Sequence, residues 1–470
     1  MVDGMILLYH LIITMQITTA MKMMSTASPK TYNIAIIGGG ITGAVAAQTL
    51  SQQNNINVHL FDQGRRGVGG RSSHRNHDDM RWDHGCQFFR ADTDRFKALV
   101  DDWIAKDIVK KWEGHFISSD SCEYDFFGMP SLPPFYVGAD GMQSVPTGVL
   151  DQIIQKMNSS EEESKLSVFT GTRVAQFERD EASKKWRLFG TSGTAAFHDT
   201  PEKIVQQSNE NLPLGEVEGY DGVILTDVSS SFGAWHRASA GVPESFASRV
   251  RERVGARVPL FTAMIAFDKE IGAPFDAATF DNSVLWFASK MNSKPGMDGL
   301  KECWTLVSTP EYAMKKIEET PMQDPKTGEF IPQSKDYLKT VPAPDLMAAF
   351  CQELMSKDGI LGDNALTDVS ETIYTDAQRW GSAMPCHRHL DENSRTRKVI
   401  SGVSYDSGRS SLAPTKLESC WHGDEITFLA DENLMLFQAG DMMSSFTPGF
   451  EGAAISGMDA ANRLLEKLSN

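Results

Sequence analysis

The chain has 470 residues, which is more than one hydrophobic core usually serves, so two domains or one large domain with a long insertion are expected. An apolar content of 41% and a charged content of 23% are ordinary for a globular protein and exclude disorder of the whole chain. The formal net charge of −17 disfavours nucleic acid or an anionic membrane surface as the main partner.

The N-terminal residues 1–30 differ from the rest of the chain. Their apolar stretch, from Met5 to Thr19, is too short and too mixed to span a bilayer, and only Asp3 precedes it where a secretory signal would carry positive charge. We predict a disordered or targeting leader and no membrane span. The six cysteines contain no CxxC pair, so a reducing compartment such as the cytoplasm is expected, with import into an organelle left open.

The first elements after the leader form a compact βαβ start. Between Tyr32 and Asp62 the pattern is strand, glycine turn, small-residue helix and a second strand, NVHLFD. A glycine-rich turn, GRRGVGGRSSHRN, and a returning strand, MRWDHGCQFF, follow. Further strands of the same domain are predicted for KLSVFTGTRVAQFERD, KKWRLFG, YDGVILTD and LMLFQAGD.

The glycine turn carries a GxGxxG motif made of Gly38, Gly40 and Gly43, with Asp62 at the end of the next strand. Gly38 permits the tight turn, Gly40 lets a pyrophosphate approach the main chain, and Gly43 lets helix and strand pack closely. The amides at the helix start hold the anion, and Asp62 can accept hydrogen bonds from ribose hydroxyls. The motif predicts a dinucleotide site, at which a β-branched residue in place of Gly40 would crowd the phosphate and strain the turn.

Two further segments favour FAD over NAD. In RRGVGGR, Gly69 and Gly70 allow Arg71 to lie beside the pyrophosphate, although a glycine hairpin with solvated arginines is the alternative. The C-terminal segment LFQAGDMMSSFTPGFEGAAISGMDAANRLL repeats the order of strand, Gly-Asp, turn and helix. Asp441 could bond a ribityl hydroxyl, and the helix starting near Glu451 would direct its positive end at the flavin N1 and C2 oxygen.

Two blocks of another character interrupt this domain. Helical periodicity in DRFKALVDDWIAKDIVKKW predicts a helix after Arg90, and residues 240–423 mix helices with strands such as ARVPLFTAMIAFD and ECWTLVSTP. The predicted fold class is α/β: a discontinuous Rossmann-type FAD-binding domain with a second, α+β substrate domain. We assign residues 31–90, 135–239 and 424–470 to the first domain and residues 91–134 and 240–423 to the second.

The motifs occur together in an order that resembles the renalase family, within the wider group of FAD-dependent amine-oxidase-like flavoproteins. They are IIGGGITG, FDQGRRGVGGR, DHGCQFF, YVGADGMQSVP, TRVAQFERDEASKKWRL, YDGVILTD, WTLVSTPEY, AQRWGSAMP and AGDMMSSFTPGFEGAAISG. The resemblance covers most of the chain from Thr31 onwards, and its FAD-contacting motifs are more specific than those of the substrate domain.

The resemblance implies a set of cofactor contacts. Thr42 would contact the pyrophosphate and Arg71 would close over it, in a segment that also contributes Gln63 and Gly70. The implied contacts further on are Gly85, Cys86, Gln87 and Phe88 along the flavin ring, the backbone of Val174 at the adenine, and Gly440 and Asp441 at the ribityl chain. No cysteine lies in a flavin-tethering motif, so the FAD is expected to be non-covalent. Renalases close the last turn with Phe-Asp-Gly or similar, whereas this chain has Phe450-Glu451-Gly452.

No metal site is predicted. Cys386, His387 and His389 of CHRHL alternate on a polar turn without further ligands nearby, and a solvated loop explains them better. His74 and His77 read as surface residues of a hairpin, whereas the resemblance places His84 near the cofactor.

The function that the resemblance implies is an FAD-dependent oxidase. Its electron donor would be an isomeric form of a reduced dinucleotide, NADH or NADPH, and O2 would be converted to hydrogen peroxide. The cavity wall is predicted to include Trp304, Arg379 and Trp380, with ordinary core and rim positions as the alternative. A flavin amine oxidase or another desaturating flavoenzyme remains an alternative. A non-catalytic escort-type binding protein on the same fold is a third possibility, against which Arg71 and Asp441 argue.

Overall fold

A computed structural model describes residues 30–118, 134–159, 165–192, 212–215, 217–231, 241–254, 256–299, 301–321, 331, 334, 336–385, 402–406, 409–413, 427–444 and 449–469. The α-helices of this described part are α1 (Ile41–Leu50), α2 (Asp94–Ala105), α3 (Ser144–Ser159), α4 (Glu244–Val254), α5 (Pro310–Glu319), α6 (Tyr337–Thr340), α7 (Pro342–Met355) and α8 (Phe450–Ser469). Its strands are β1 (Tyr32–Ile37), β2 (Ile56–Phe61), β3 (His74–His77), β4 (Met80–Asp83), β5 (Val109–Trp112), β6 (Phe116–Ser118), β7 (Phe135–Gly138), β8 (Leu166–Phe169), β9 (Thr172–Arg179), β10 (Trp186–Ser192), β11 (Leu212–Pro213), β12 (Gly222–Leu225), β13 (Ala256–Phe267), β14 (Ala277–Thr279), β15 (Leu285–Lys290), β16 (Glu302–Ser308), β17 (Thr372–Pro385), β18 (Gly402–Asp406), β19 (Arg409–Ala413), β20 (Leu429–Asp431) and β21 (Leu436–Gln438).

The first sheet has six strands in the order β20-β21-β12-β1-β2-β8. All of its pairings are parallel except that of β20 with β21. Ile34, Ala35 and Ile36 of β1 are fully buried, as expected for a central parallel strand covered on both faces. Helices α1 and α8 pack against each other, and Gly457 of α8 permits a close approach to the Thr42 carbonyl. This sheet therefore brings the N-terminal glycine turn and the C-terminal segment into one unit.

The second sheet has eight strands, in the order β19-β18-β13-β16-β15-β14-β6, with β17 also paired to β13. Helices α5 and α7 pack on β13, and the core between them includes Phe261, Trp304 and Phe350. The long strand β17 pairs with β13 over most of its length. Its C-terminal half reaches from this core to Arg71 and His84, which hydrogen-bond to Ala383 and Trp380 of this strand.

Three smaller sheets complete the described part: β11-β10-β9, β3-β4 and β5-β7. The segment KKWRLFG and the second half of KLSVFTGTRVAQFERD thus form a sheet of their own, beside the six-stranded one. The predicted helix after Arg90 is shorter than its periodicity suggested. It ends at Ala105 because Asp107 takes a left-handed conformation with φ of 55°, and Val109–Trp112 pairs with β7 as a strand.

The observed architecture agrees with the predicted class, a discontinuous Rossmann-type α/β unit beside an α+β unit. The exact domain boundaries stay a prediction. Residues 1–29 of the expected leader, and Cys386, His387 and His389, lie outside the described residues. Within the ranges given above, no helix has the length and apolar character needed to cross a bilayer.

Candidate cofactor site

The glycine turn between β1 and α1 has three positions with different steric demands. Gly38 has a left-handed φ of 107°, and Gly43 packs so closely that a Cβ atom would overlap the Gly38 carbonyl oxygen. At Gly40 the nearest atom to a Cβ would be the Gly69 carbonyl oxygen at 3.7 Å. Its φ of −73° suits any residue, so the expectation of strain from a side chain at this position is wrong. The space at Gly40 leaves room for a ligand to approach the backbone.

Asp62 braces the turn from the end of β2. Its Oδ2 accepts a hydrogen bond from the Gly39 amide at 2.6 Å, and its Oδ1 accepts one from the Gly64 amide at 2.6 Å. Burial raises the pKa of Asp62, and the two amide hydrogen bonds partly oppose this effect. Each carboxylate oxygen keeps a second lone pair, so the group can still accept hydrogen bonds from ribose hydroxyls.

Arg71 and Asp441 form a bidentate ion pair. Arg71 Nη1 donates to Asp441 Oδ2 at 2.7 Å, and Nη2 donates to Asp441 Oδ1. Nη1 also donates to the Ala383 carbonyl of β17 at 3.1 Å. Burial acts to lower the pKa of Arg71, but Asp441 more than offsets it and the pKa is raised. The sequence predicted both residues as cofactor contacts, and the fold brings them together from positions 370 residues apart.

The backbone next to Arg71 connects this pair to the glycine turn. Gly70 has a φ of 54°, and a Cβ atom on it would lie 3.6 Å from Gly40 Cα. The Gly69 amide donates to the Gly39 carbonyl at 2.9 Å. The two segments predicted to bind the pyrophosphate are therefore neighbours, and Gln63 lies exposed in the loop between them.

The segment Gly85–Phe88 lies on the other side of Arg71, whose carbonyl accepts the Cys86 amide hydrogen bond at 2.7 Å. Gly85 and Cys86 are half-buried, whereas Gln87 and Phe88 are buried. The Phe88 ring packs against Phe135 and Phe287, so of these four residues only Gly85 and Cys86 keep accessible surface. Burial raises the pKa of the Cys86 thiol to about 12, which makes it a poor nucleophile.

His84 and Trp380 form the wall next to this segment. Their rings stack with centroids 5.4 Å apart, and Trp380 Nε1 donates to the His84 carbonyl at 2.8 Å. Burial, with smaller effects of Arg75, His74 and Arg66, lowers the pKa of His84 to about 3. His84 is therefore neutral near pH 7.

The other two cavity candidates lie elsewhere. Trp304 has no exposed surface, packs against Phe275 and Phe350, and donates its Nε1 to Glu302 at 2.6 Å. It is a core residue of the second sheet, which corrects the expectation of a cavity wall. Arg379 donates to the Thr320 carbonyl at 3.2 Å, and it projects from the face of β17 opposite to Trp380 because side chains alternate along a strand.

Four further predicted contacts are positioned by nearby elements. Thr42 is buried in the first turn of α1. Gly440 is held by α8, because its amide donates a hydrogen bond to Ser456 Oγ at 2.7 Å. Val174 lies in β9, which starts beside the Asp62 carbonyl. Both oxygens of Glu451 accept amides, from Asp92 at 2.8 Å and Thr93 at 2.9 Å, which fixes this carboxylate against the start of α2.

Sequence reasoning missed a buried ion pair that contacts Gln87 of the segment Gly85–Phe88. Lys294, which follows β15, pairs with Asp83 at the end of β4, and both side chains are fully buried. No local signal distinguishes Lys294 from an exposed lysine before a Pro-Gly turn. The His77 ring packs against Tyr374 in a tilted arrangement, with ring centroids 4.6 Å apart, and no group of three metal-binding side chains occurs in the part of the chain that the structure describes.

Comparison with known proteins agrees with the observed fold. Residues 36–103 match the family model described as "NAD(P)-binding Rossmann-like domain". The cyclohexylamine oxidase of Brevibacterium oxydans IH-35A is similar in structure, with a TM-score of 0.55 and 11% identity over 94% of this chain and 100% of that one. Putrescine oxidase bound to putrescine gives a TM-score of 0.53 and 10% identity over 93% of this chain and 100% of that one. The chain thus shares the fold of these amine oxidases, which confirms the predicted fold class.

Proposed function

We propose that this chain is an FAD-dependent oxidase whose electron donor is an isomeric form of reduced NAD(P) and whose acceptor is O2. The observation that carries the proposal is the Arg71–Asp441 pair, which lies beside the Gly40 turn and the Gly85–Cys86 backbone. When bound, FAD would supply the hydride acceptor and the route of electrons to O2.

The residues present fit this cofactor. The open space at Gly40 and the N-terminus of α1 suit a pyrophosphate, and Asp62 keeps lone pairs for a ribose. Arg71, whose charge is balanced by Asp441, keeps further N–H donors next to the turn, and Gly85 and Cys86 offer accessible backbone to a flat ring. We expect the FAD to be bound non-covalently, because no cysteine lies in a flavin-tethering motif.

Hydride transfer from a dihydronicotinamide needs no proton abstraction, which favours this donor over one that requires a base. Burial lowers the pKa of His84 to about 3, so the imidazole of the His84–Trp380 wall is neutral near pH 7 and a weak base. The charge of the neighbouring Arg75 is balanced by its ion pair with Asp376.

The alternative that the chain is an amine oxidase is favoured by the fold that the chain shares with cyclohexylamine oxidase and putrescine oxidase. At 10–11% identity this likeness concerns the fold, and the substrate has to be decided by experiment.

The test is anaerobic reduction of the purified yellow protein. We expect α-NADH, or a 2- or 6-dihydro isomer, to bleach the flavin much faster than β-NADH, cyclohexylamine or putrescine, and O2 to restore the colour with release of hydrogen peroxide. Because the NADH isomers differ mainly in ring orientation or hydride position, the difference should appear in the reduction rate more than in binding. Bleaching by an amine, without a response to the isomers, would establish the alternative. Colourless protein that cannot be reconstituted with FAD would favour a non-catalytic binding protein.

A further inference from the structure

Lys294 and Asp83 form an ion pair without any exposed side-chain surface. Lys294 Nζ donates to Asp83 Oδ2 at 3.1 Å and to Gln87 Oε1 at 3.3 Å, and it lies 5.2 Å from the centre of the Trp112 ring. Removing two charges from water offsets much of their attraction, so such a pair is weak evidence of stabilisation. The hydrogen bonds of Lys294 fix the positions of the Asp83 and Gln87 side chains, which lie next to the candidate cofactor site.

The pair is the centre of a polar network that includes Gln87. Gln87 Nε2 donates to the Asp83 carbonyl at 2.5 Å and to the Gly85 carbonyl at 2.9 Å, and Gln87 Oε1 accepts from Ser289 Oγ at 2.9 Å. Asp83 Oδ1 accepts the Met142 amide at 2.9 Å. The network therefore ties the hairpin strand β4, the second sheet and the start of α3 to the Gly85 peptide.

Gly85 and Cys86 are the two residues of this segment that keep accessible surface, and their backbone contacts Arg71. We propose that Lys294 is a positioning residue for FAD, which acts through Asp83 and Gln87 to hold the Gly85–Cys86 backbone in the orientation that meets the flavin ring. This inference rests on the proposed cofactor and on no assumption about the electron donor.

Lys290 offers a matched control. It precedes Lys294 by four residues, and its Nζ lies 3.3 Å from Oε2 of the buried Glu302. Among the described residues, the lysine that donates to Gln87 is Lys294 and not Lys290. Lys290→Met and Lys294→Met each take the cation away from a buried carboxylate, although the Lys290 side chain is 23% exposed and that of Lys294 is fully buried, and only the second removes a contact to the cofactor segment.

The experiment measures the FAD dissociation constant of each full-length variant by titration of the apoprotein, and the visible circular dichroism of the flavin at saturating FAD. For Lys294→Met we expect a dissociation constant raised by about tenfold, and a changed flavin dichroism that persists at saturation. For Lys290→Met we expect both readouts to match the wild type. The saturated dichroism reports the surroundings of the ring, which a general loss of stability would leave unchanged.

If Lys294→Met does not fold, the double variant Lys294→Met/Asp83→Asn replaces it, because it removes the donor to Gln87 and leaves no unpaired buried charge. A folded variant of either kind with wild-type dissociation constant and dichroism would overturn the inference. Wild-type protein that binds no FAD would instead refute the proposed function, so the two failures are distinguishable.

Discussion

Replacing Gly40 by alanine should separate cofactor binding from folding. The Cβ atom would lie 3.7 Å from its nearest neighbour, an ordinary contact, and the φ of −73° is accessible to alanine. Alanine reduces the entropy of the unfolded chain but is a poorer N-cap than glycine; the two effects are each about 1 kcal/mol or less and oppose each other. The free energy of unfolding of the apoprotein should therefore stay within about 1 kcal/mol of the wild type.

FAD binding should respond differently, because the methyl group would occupy the space left for the pyrophosphate. Inserting a methyl group into a filled site costs about 1–3 kcal/mol, which corresponds to a dissociation constant raised by roughly fivefold to 150-fold. Gly43→Ala is the matched control, since its Cβ atom would overlap the Gly38 carbonyl and destabilise the apoprotein itself. Thermal unfolding and FAD titration of both variants provide the test. A Gly40→Ala protein with wild-type affinity would refute the placement of the pyrophosphate.

Three further predictions follow from the site. Arg71→Ala should raise the FAD dissociation constant by about tenfold, whereas Arg95→Ala, which removes an exposed ion pair with Asp459, should leave it unchanged; equal effects in a titration would contradict the proposed role of Arg71. Because the pKa of His84 falls from 6.5 unfolded to about 3 folded, the unfolded chain binds an extra proton between these values. The free energy of unfolding should therefore fall by about 1.4 kcal/mol per pH unit, through His84 alone, as the pH falls through this window. Denaturant titrations of His84→Asn should lack this contribution to the slope. Acid or heat should release all of the FAD into the supernatant, and flavin retained on the denatured chain would disprove non-covalent binding.

The sequence by itself determined the features that depend on local backbone geometry. The glycine spacing, the strand before it and Asp62 after it identified the dinucleotide turn, because a tight turn into a helix restricts the residues that can form it. Arg71 and Asp441 were predicted as cofactor contacts in the same way, each from a glycine-containing turn of its own. The local pattern did not show that Gly40 adopts an ordinary backbone conformation, so the predicted effect of a side chain at this position rests on space alone.

The tertiary structure decided which side chains meet and which are buried. Trp304 and Trp380 both read as candidates for a cavity wall, but Trp304 packs between helices and sheet while Trp380 lies on His84. The sequence contained Lys294 and Asp83 without any sign of their pairing, since they lie 211 residues apart. Burial of a side chain depends on what distant strands and helices place over it, and a pattern within one segment contains no information about those partners. For the same reason, only the fold could show that Arg71 and Asp441 form an ion pair.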